Sequence, residues 1–167
     1  VSATPQANTA CDPLKSNGVI TADVGGVTMG YTFHIFRGQN TLAANEVTTG
    51  VATATGLAAG IYTVQAINST TGCAATIEVS VSDNIVLPTI TATANTNVTS
   101  CSTPNGTASV TGISIGALAD YTFSWYKGNA IKAVSDFTGG TITGLTAGNY
   151  TVTATNNVLG CDVLVPV

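Results

Sequence analysis

The chain repeats itself, and that duplication limits what it can fold into more than any other feature. Asn17-Gly18 returns as Asn105-Gly106, Tyr31-Thr32-Phe33 as Tyr121-Thr122-Phe123, and Gly56-Leu57 as Gly144-Leu145. Ala59-Gly60-Ile61-Tyr62-Thr63-Val64 returns as Ala147-Gly148-Asn149-Tyr150-Thr151-Val152, and Gly72-Cys73 as Gly160-Cys161. The offset is 88 residues (17 to 105), then 90 (31 to 121), then 88 again (56 to 144), so small insertions absorb the drift. A unit of about 85 residues is too long for a solenoid repeat and suits a small β-sandwich. The 167 residues divide into two domains, 1-84 and 85-167. Their boundary falls in Asp83–Pro88, a short apolar segment unlike a flexible Gly/Ser tether.

Within each copy the local pattern has period two. Tyr150, Val152 and Ala154 alternate with Thr151, Thr153 and Thr155; Ile77, Val79 and Val81 alternate with Thr76, Glu78 and Ser80. Such alternation marks strands with one face buried. Threonine on the other face favours the extended backbone and offers a hydroxyl to water, which explains how the chain manages with 7% charged residues. No stretch carries a helical period; Leu42–Val47 is the best candidate and is short. About seven strands per copy and an all-β fold follow. Four basic residues under a net charge of -4 cannot neutralise a phosphate backbone, which excludes nucleic acid as a partner. No apolar run reaches the roughly 20 residues that span a bilayer, so membrane insertion is not expected.

Two details specify an immunoglobulin-like sandwich. Leu57–Tyr62 and Leu145–Tyr150 have the layout of a tyrosine corner, with Tyr62 and Tyr150 opening a strand after a turn. Trp125 stands where such folds bury an aromatic on a central strand; its counterpart in the first copy is Ile35. The cysteines, Cys11, Cys73, Cys101 and Cys161, form no C-x-x-C pair and have no histidines at metal-ligand spacing. Each copy owns one early and one late cysteine, so the duplication favours the structural disulfides Cys11–Cys73 and Cys101–Cys161, one per domain.

The side chains give little material for chemistry. His34 is the only histidine; it aligns with Ser124 and points away from the core on the alternation of Tyr31, Phe33 and Ile35. The carboxylates are dispersed, so no catalytic residues, no metal ligands and no cofactor are assigned, and the chain reads as a non-enzyme. Asp83 at the junction is a conceivable calcium ligand, without a D-x-D-x-D run to support it. Phe36 and Tyr126 fall on the face opposite Phe33 and Trp125, beside Arg37 and Lys127. They form the candidate contact surface for a glycan or a neighbouring chain, unless a loop covers them.

The order Cys, Asn-Gly-Thr-Ala, Tyr-Thr-Phe-Ser-Trp, Gly-Leu-x-Ala-Gly-x-Tyr-Thr-Val and Gly-Cys, almost intact from Cys101 to Cys161, resembles the SprB-type repeats of Bacteroidetes cell-surface adhesins, including those linked to gliding motility. The first copy is looser: Gly18-Val19-Ile20 replaces Gly-Thr-Ala, and Ile35 replaces the Trp. The resemblance implies an exported, surface-displayed repeat region, secreted or extracellular, acting as a stalk or adhesive fibre. Its partners would be other copies or neighbouring repeats and surface glycans. A start at Val1 with no basic or apolar leader fits a processed chain or a piece of a longer one. The apolar tail Val163–Val167 is expected to meet the first strand, Val1–Thr9, of a neighbour end to end. The competing reading is a carbohydrate-recognising module acting through Phe36 or Tyr126.

Overall fold

A computed structural model describes all 167 residues. The chain is all-β, with four antiparallel sheets and three single-turn 3-10 segments, Pro13–Lys15, Ala43–Asn45 and Leu118–Asp120. It divides into two compact units, Val1–Ile85 and Val86–Val167.

The first unit holds β1 (Ser2–Gln6), β2 (Gly18–Asp23), β3 (Tyr31–Arg37), β4 (Glu46–Thr49), β5 (Thr53–Leu57), β6 (Gly60–Asn68) and β7 (Ala74–Val81). One sheet runs β1-β2-β5 and the other β4-β3-β6-β7. The second unit holds β8 (Ile90–Thr96), β9 (Gly106–Ile113), β10 (Tyr121–Lys127), β11 (Phe137–Thr138), β12 (Thr141–Leu145), β13 (Tyr150–Asn156) and β14 (Asp162–Pro166). Its sheets run β12-β9-β8 and β11-β10-β13-β14. Three strands facing four in this order is the layout of immunoglobulin-like and fibronectin III-like sandwiches.

The alternation in sequence becomes burial in space. Ile20 and Ala22 from β2, Ala54 and Leu57 from β5, Phe33 and Ile35 from β3, and Tyr62, Val64 and Ala66 from β6 form one core. Both sheets contribute to it, so it is what holds them face to face. The second core repeats the design with Trp125 in place of Ile35 and with Val152 and Ala154 in place of Val64 and Ala66.

The Gly-Leu pair that recurs in the sequence has a mechanical task. Gly56 and Gly144 take φ values of 71° and 72°, a left-handed conformation that a side chain disfavours. Each sits at a break in strand register, between the Ala54 and Leu57 pairings and between Thr143 and Leu145. A bulge of this kind re-aims the next residue, and Leu57 and Leu145 both turn into the core.

Candidate functional site

The strand directions decide where each cysteine lies. In the first unit the Asn8 N–H donates to Ser82 O at 2.9 Å, and Asn84 N–H donates to Asn8 O at 2.8 Å. The loop carrying Cys11 therefore sits past the last residue of β7. Cys73 sits just before the first residue of that strand, in the turn where Asn68 Oδ1 accepts from the N–H groups of Thr70 and Thr71. The eight residues of β7 separate the two by about 27 Å at the rise of an antiparallel strand. A disulfide needs Cα atoms within about 7 Å.

The second unit has the same polarity. Val98, three residues before Cys101, packs near Gly106 and Leu145, beside Tyr150 and Val167. Cys161 lies at the other end of β13, where Asn156 N–H donates to its carbonyl at 2.9 Å. The expected bridges Cys11–Cys73 and Cys101–Cys161, one per domain, are thus not formed: Cys73 and Cys101 are exposed free thiols, and the disulfide-bonded cysteines are Cys11 and Cys161. The repeat pairs early with late cysteines in sequence, but it places them at opposite poles of each sandwich.

The cysteine loops are held by the Asn of the recurring Asn-Gly dipeptides. Asn17 Oδ1 accepts from Thr9 N–H and its Nδ2 donates to Thr9 Oγ1, both at 2.8 Å. Asn105 binds Thr99 in the same way, at 3.0 and 2.8 Å. The Asn of each Asn-Gly dipeptide is the pin of a loop; its recurrence in the sequence marks the position but not the threonine that it binds.

Tyr62 Oη donates to Ala58 O at 2.8 Å, and Tyr150 Oη donates to Thr146 O at 3.0 Å. Burial pushes the Tyr62 hydroxyl pKa up, with Arg37 opposing the shift, so the group stays a donor. Trp125 is fully buried, and its Nε1 donates to Gly139 O at 2.8 Å.

Phe36 and Tyr126, the candidate contact surface unless a loop covered them, are covered, at 4% and 8% exposure. They do lie opposite Ile35 and Trp125, but the segments after β3 and β10 fold back over that face. The Ala43–Asn45 turn packs on β3, and His34 stacks on Phe36 with ring centroids 6.3 Å apart. Tyr126 lines a shallow pocket together with Ile131 and Leu164.

His34 Nδ1 meets Glu46 Oε1 at 2.5 Å on a half-buried surface. That hydrogen bond, with the Thr49 hydroxyl at 2.8 Å, holds the Glu46 carboxyl below its ordinary pKa. No group of three or more His, Cys, Asp and Glu converges anywhere; Asp83 accepts from Asn8 Nδ2 at 3.2 Å. Every buried side-chain nitrogen and oxygen has a hydrogen-bond partner. No helix is long and apolar enough to cross a membrane.

No protein-family model and no curated protein matches the chain. Among solved structures it is similar to the three N-terminal domains of the highly immunogenic outer capsid protein (Hoc) of bacteriophage RB49, with a TM-score of 0.44 and 17% identity. That match covers 99% of this chain and 56% of the other, so the chain spans little more than half the length of the capsid structure. It is also similar to fibronectin(III)-like modules of Clostridium thermocellum CbhA, with a TM-score of 0.33 and 14% identity, over 99% of this chain and 91% of that one.

Proposed function

We propose that the chain is a pair of tandem immunoglobulin-like modules from an exported bacterial surface adhesin or extracellular fibre, as the SprB-type resemblance implies. It acts without catalysis, extending or presenting a binding surface and assembling end to end. One observation carries this reading: in each unit the chain enters at one pole and leaves at the opposite one. Val1 lies beside Tyr31 and Cys73, whereas the chain leaves past Val81, which pairs with Gly60 at the far end of β6. In the second unit Ile90 pairs with Ile113, and the chain reaches Val167 at the Tyr150 end. Modules of this polarity can follow one another along a chain, and Phe36 and Tyr126 are buried within their own units. A disulfide also fits an oxidising, extracellular setting.

Immunogold labelling of the producing cells with antibodies to the folded chain tests the reading. Gold on the outer surface or on detached fibres, removed by external protease, is the expected result. Label confined to the cell interior would overturn it.

A further inference from the structure

In the second unit the outer face of the β11-β10-β13-β14 sheet carries a shallow pocket of about 290 Å3. Trp125, Val152 and Ala154 point into the core, so their neighbours along the strands point out. Ser124, Thr153 and Leu164 pair across three strands as one outward row, and Thr122, Thr155 and Asp162 form the next. The polar lining is Ser124, Tyr126, Thr153, Thr155 and Asp162. These groups do not hold the fold together. The side chains of Ser124, Tyr126, Thr155 and Asp162 make no hydrogen bond within the protein, and Thr153 makes a long one, 3.4 Å, to Ser124 O. Every buried side-chain nitrogen and oxygen has a partner, so the unpartnered Tyr126 hydroxyl is the point at which that covered ring reaches solvent.

The first copy has the same rows with different chemistry. His34 stands in the place of Ser124, Phe36 of Tyr126, Ile67 of Thr155 and Ala74 of Asp162. There the His34 ring stacks on Phe36, with centroids 6.3 Å apart, and bonds to Glu46, so the protein's own side chains occupy the space. In the second copy a ring is removed at one of these positions, and a hydroxyl or a carboxylate is added at the other three. All four differences meet at one spot, and none of the added groups finds a partner in the fold.

We propose that this pocket of the second unit binds a short stretch of neutral glycan. Hydroxyls donate and accept, and a carboxylate accepts, so a ligand that satisfies them together carries several hydroxyls of its own. No Lys, Arg or His lines the pocket, and Asp162 opposes a second negative group, which disfavours uronates, sulfates and phosphates. Ile131 and Leu164, both exposed at the rim, offer apolar contact to the C–H faces of a sugar ring. The outward rows of Tyr126 and Thr122 lie four residues apart on β10, about 13 Å at the rise of a strand, so the ligand extends along the strands over more than one ring. The site gives a ligand class to the surface that the adhesin presents, and it rests on that reading only for where the glycan is met.

The test applies the purified full chain to an array of neutral gluco-, galacto- and manno-configured di- and trisaccharides beside uronate- and sialate-bearing forms. The best neutral member is then titrated with amide-resolved NMR. Neutral members should bind, and matched carboxylate-bearing forms should bind at least about tenfold more weakly. Amide shifts should gather at Ser124, Tyr126, Thr155 and Asp162. Asp162→Ala should weaken binding about tenfold by removing the charged acceptor. Ser124→His, which restores the ring of the first copy, should weaken it at least as much. The Asp162 side chain is exposed and holds no bond, so that variant should keep the parent's urea midpoint and carries the test if Ser124→His fails to fold. No binding of any neutral member, equal binding of the acidic forms, or an affinity unmoved by Asp162→Ala would overturn the proposal. Shifts at these residues with oligolysine and with no saccharide would assign the pocket to a cationic peptide instead and also overturn it. Surface label on cells without saccharide binding would discard this site alone; saccharide binding with purely internal label would discard the surface role alone.

Discussion

Thr9 and Asn17 clasp each other by two hydrogen bonds of 2.8 Å, one through the Thr9 N–H and one through its hydroxyl. The clasp closes the loop that carries Cys11, and Asn105 with Thr99 closes the loop of Cys101. Replacing Asn105 by Ala should cost about 1–2 kcal/mol by the loss of two exposed hydrogen bonds. The single tryptophan lies in the second unit, so urea titration by fluorescence reads that unit directly. An unshifted midpoint would mean the loop holds without its clasp.

Tyr62→Phe removes only the hydroxyl that reaches Ala58 O at 2.8 Å and leaves a part-buried carbonyl without its donor. The expected loss is about 1–3 kcal/mol, seen in calorimetry as a lowered transition of the first unit. Tyr150→Phe should behave alike in the second unit, where Thr146 offers both its carbonyl and its hydroxyl to the ring.

Gly18 and Gly106 occupy matching places in the repeat but should differ on substitution. An added Cβ at Gly18 would meet Leu57 O at 2.5 Å and Val81 Cγ1 at 2.7 Å; at Gly106 the nearest atoms, Leu145 O and Val98 Cγ2, are at 3.0 Å. Gly18→Ala should therefore destabilise its unit by the larger amount, about 1–3 kcal/mol for overpacking, and Gly106→Ala by less. Hydrogen exchange resolved by unit would separate them, and the reverse order would contradict the Val81 packing.

The pH dependence follows from Glu46. Its pKa is depressed first by His34 and then by Thr49, so its share of stability is fully present above the ordinary glutamate value of about 4.3. That share is lost as pH falls through the lowered folded value. Asp136, held down by Lys132 and by the Lys127 N–H, and Asp23, held down by Ser2 and Gly26, act with the same sign. Glu46→Gln should lower the first unit's thermal transition at neutral pH, with the difference from the parent closing as pH falls below about 4.3, so that the acid limb is flatter. An acid limb as steep as the parent's would show that the pairing contributes nothing.

The sequence by itself determined the duplication, the all-β class and the inward residues, because these depend on local period. Alternate residues on a strand face opposite sides, so Tyr62, Val64 and Ala66, with their counterparts Tyr150, Val152 and Ala154, could be assigned to a core without coordinates. The Gly-Leu bulges and the tyrosine turns were legible for the same reason: each acts over a few residues of chain. Only the tertiary structure decided which cysteines meet and which aromatics see solvent. Pairing depends on which end of a strand a loop reaches, and the length of β7 keeps Cys73 away from Cys11 whatever their order in the repeat. The covering of Phe36 and Tyr126 depends on how the following loops return across the sheet. That path is set by long-range packing, which no period in the chain records.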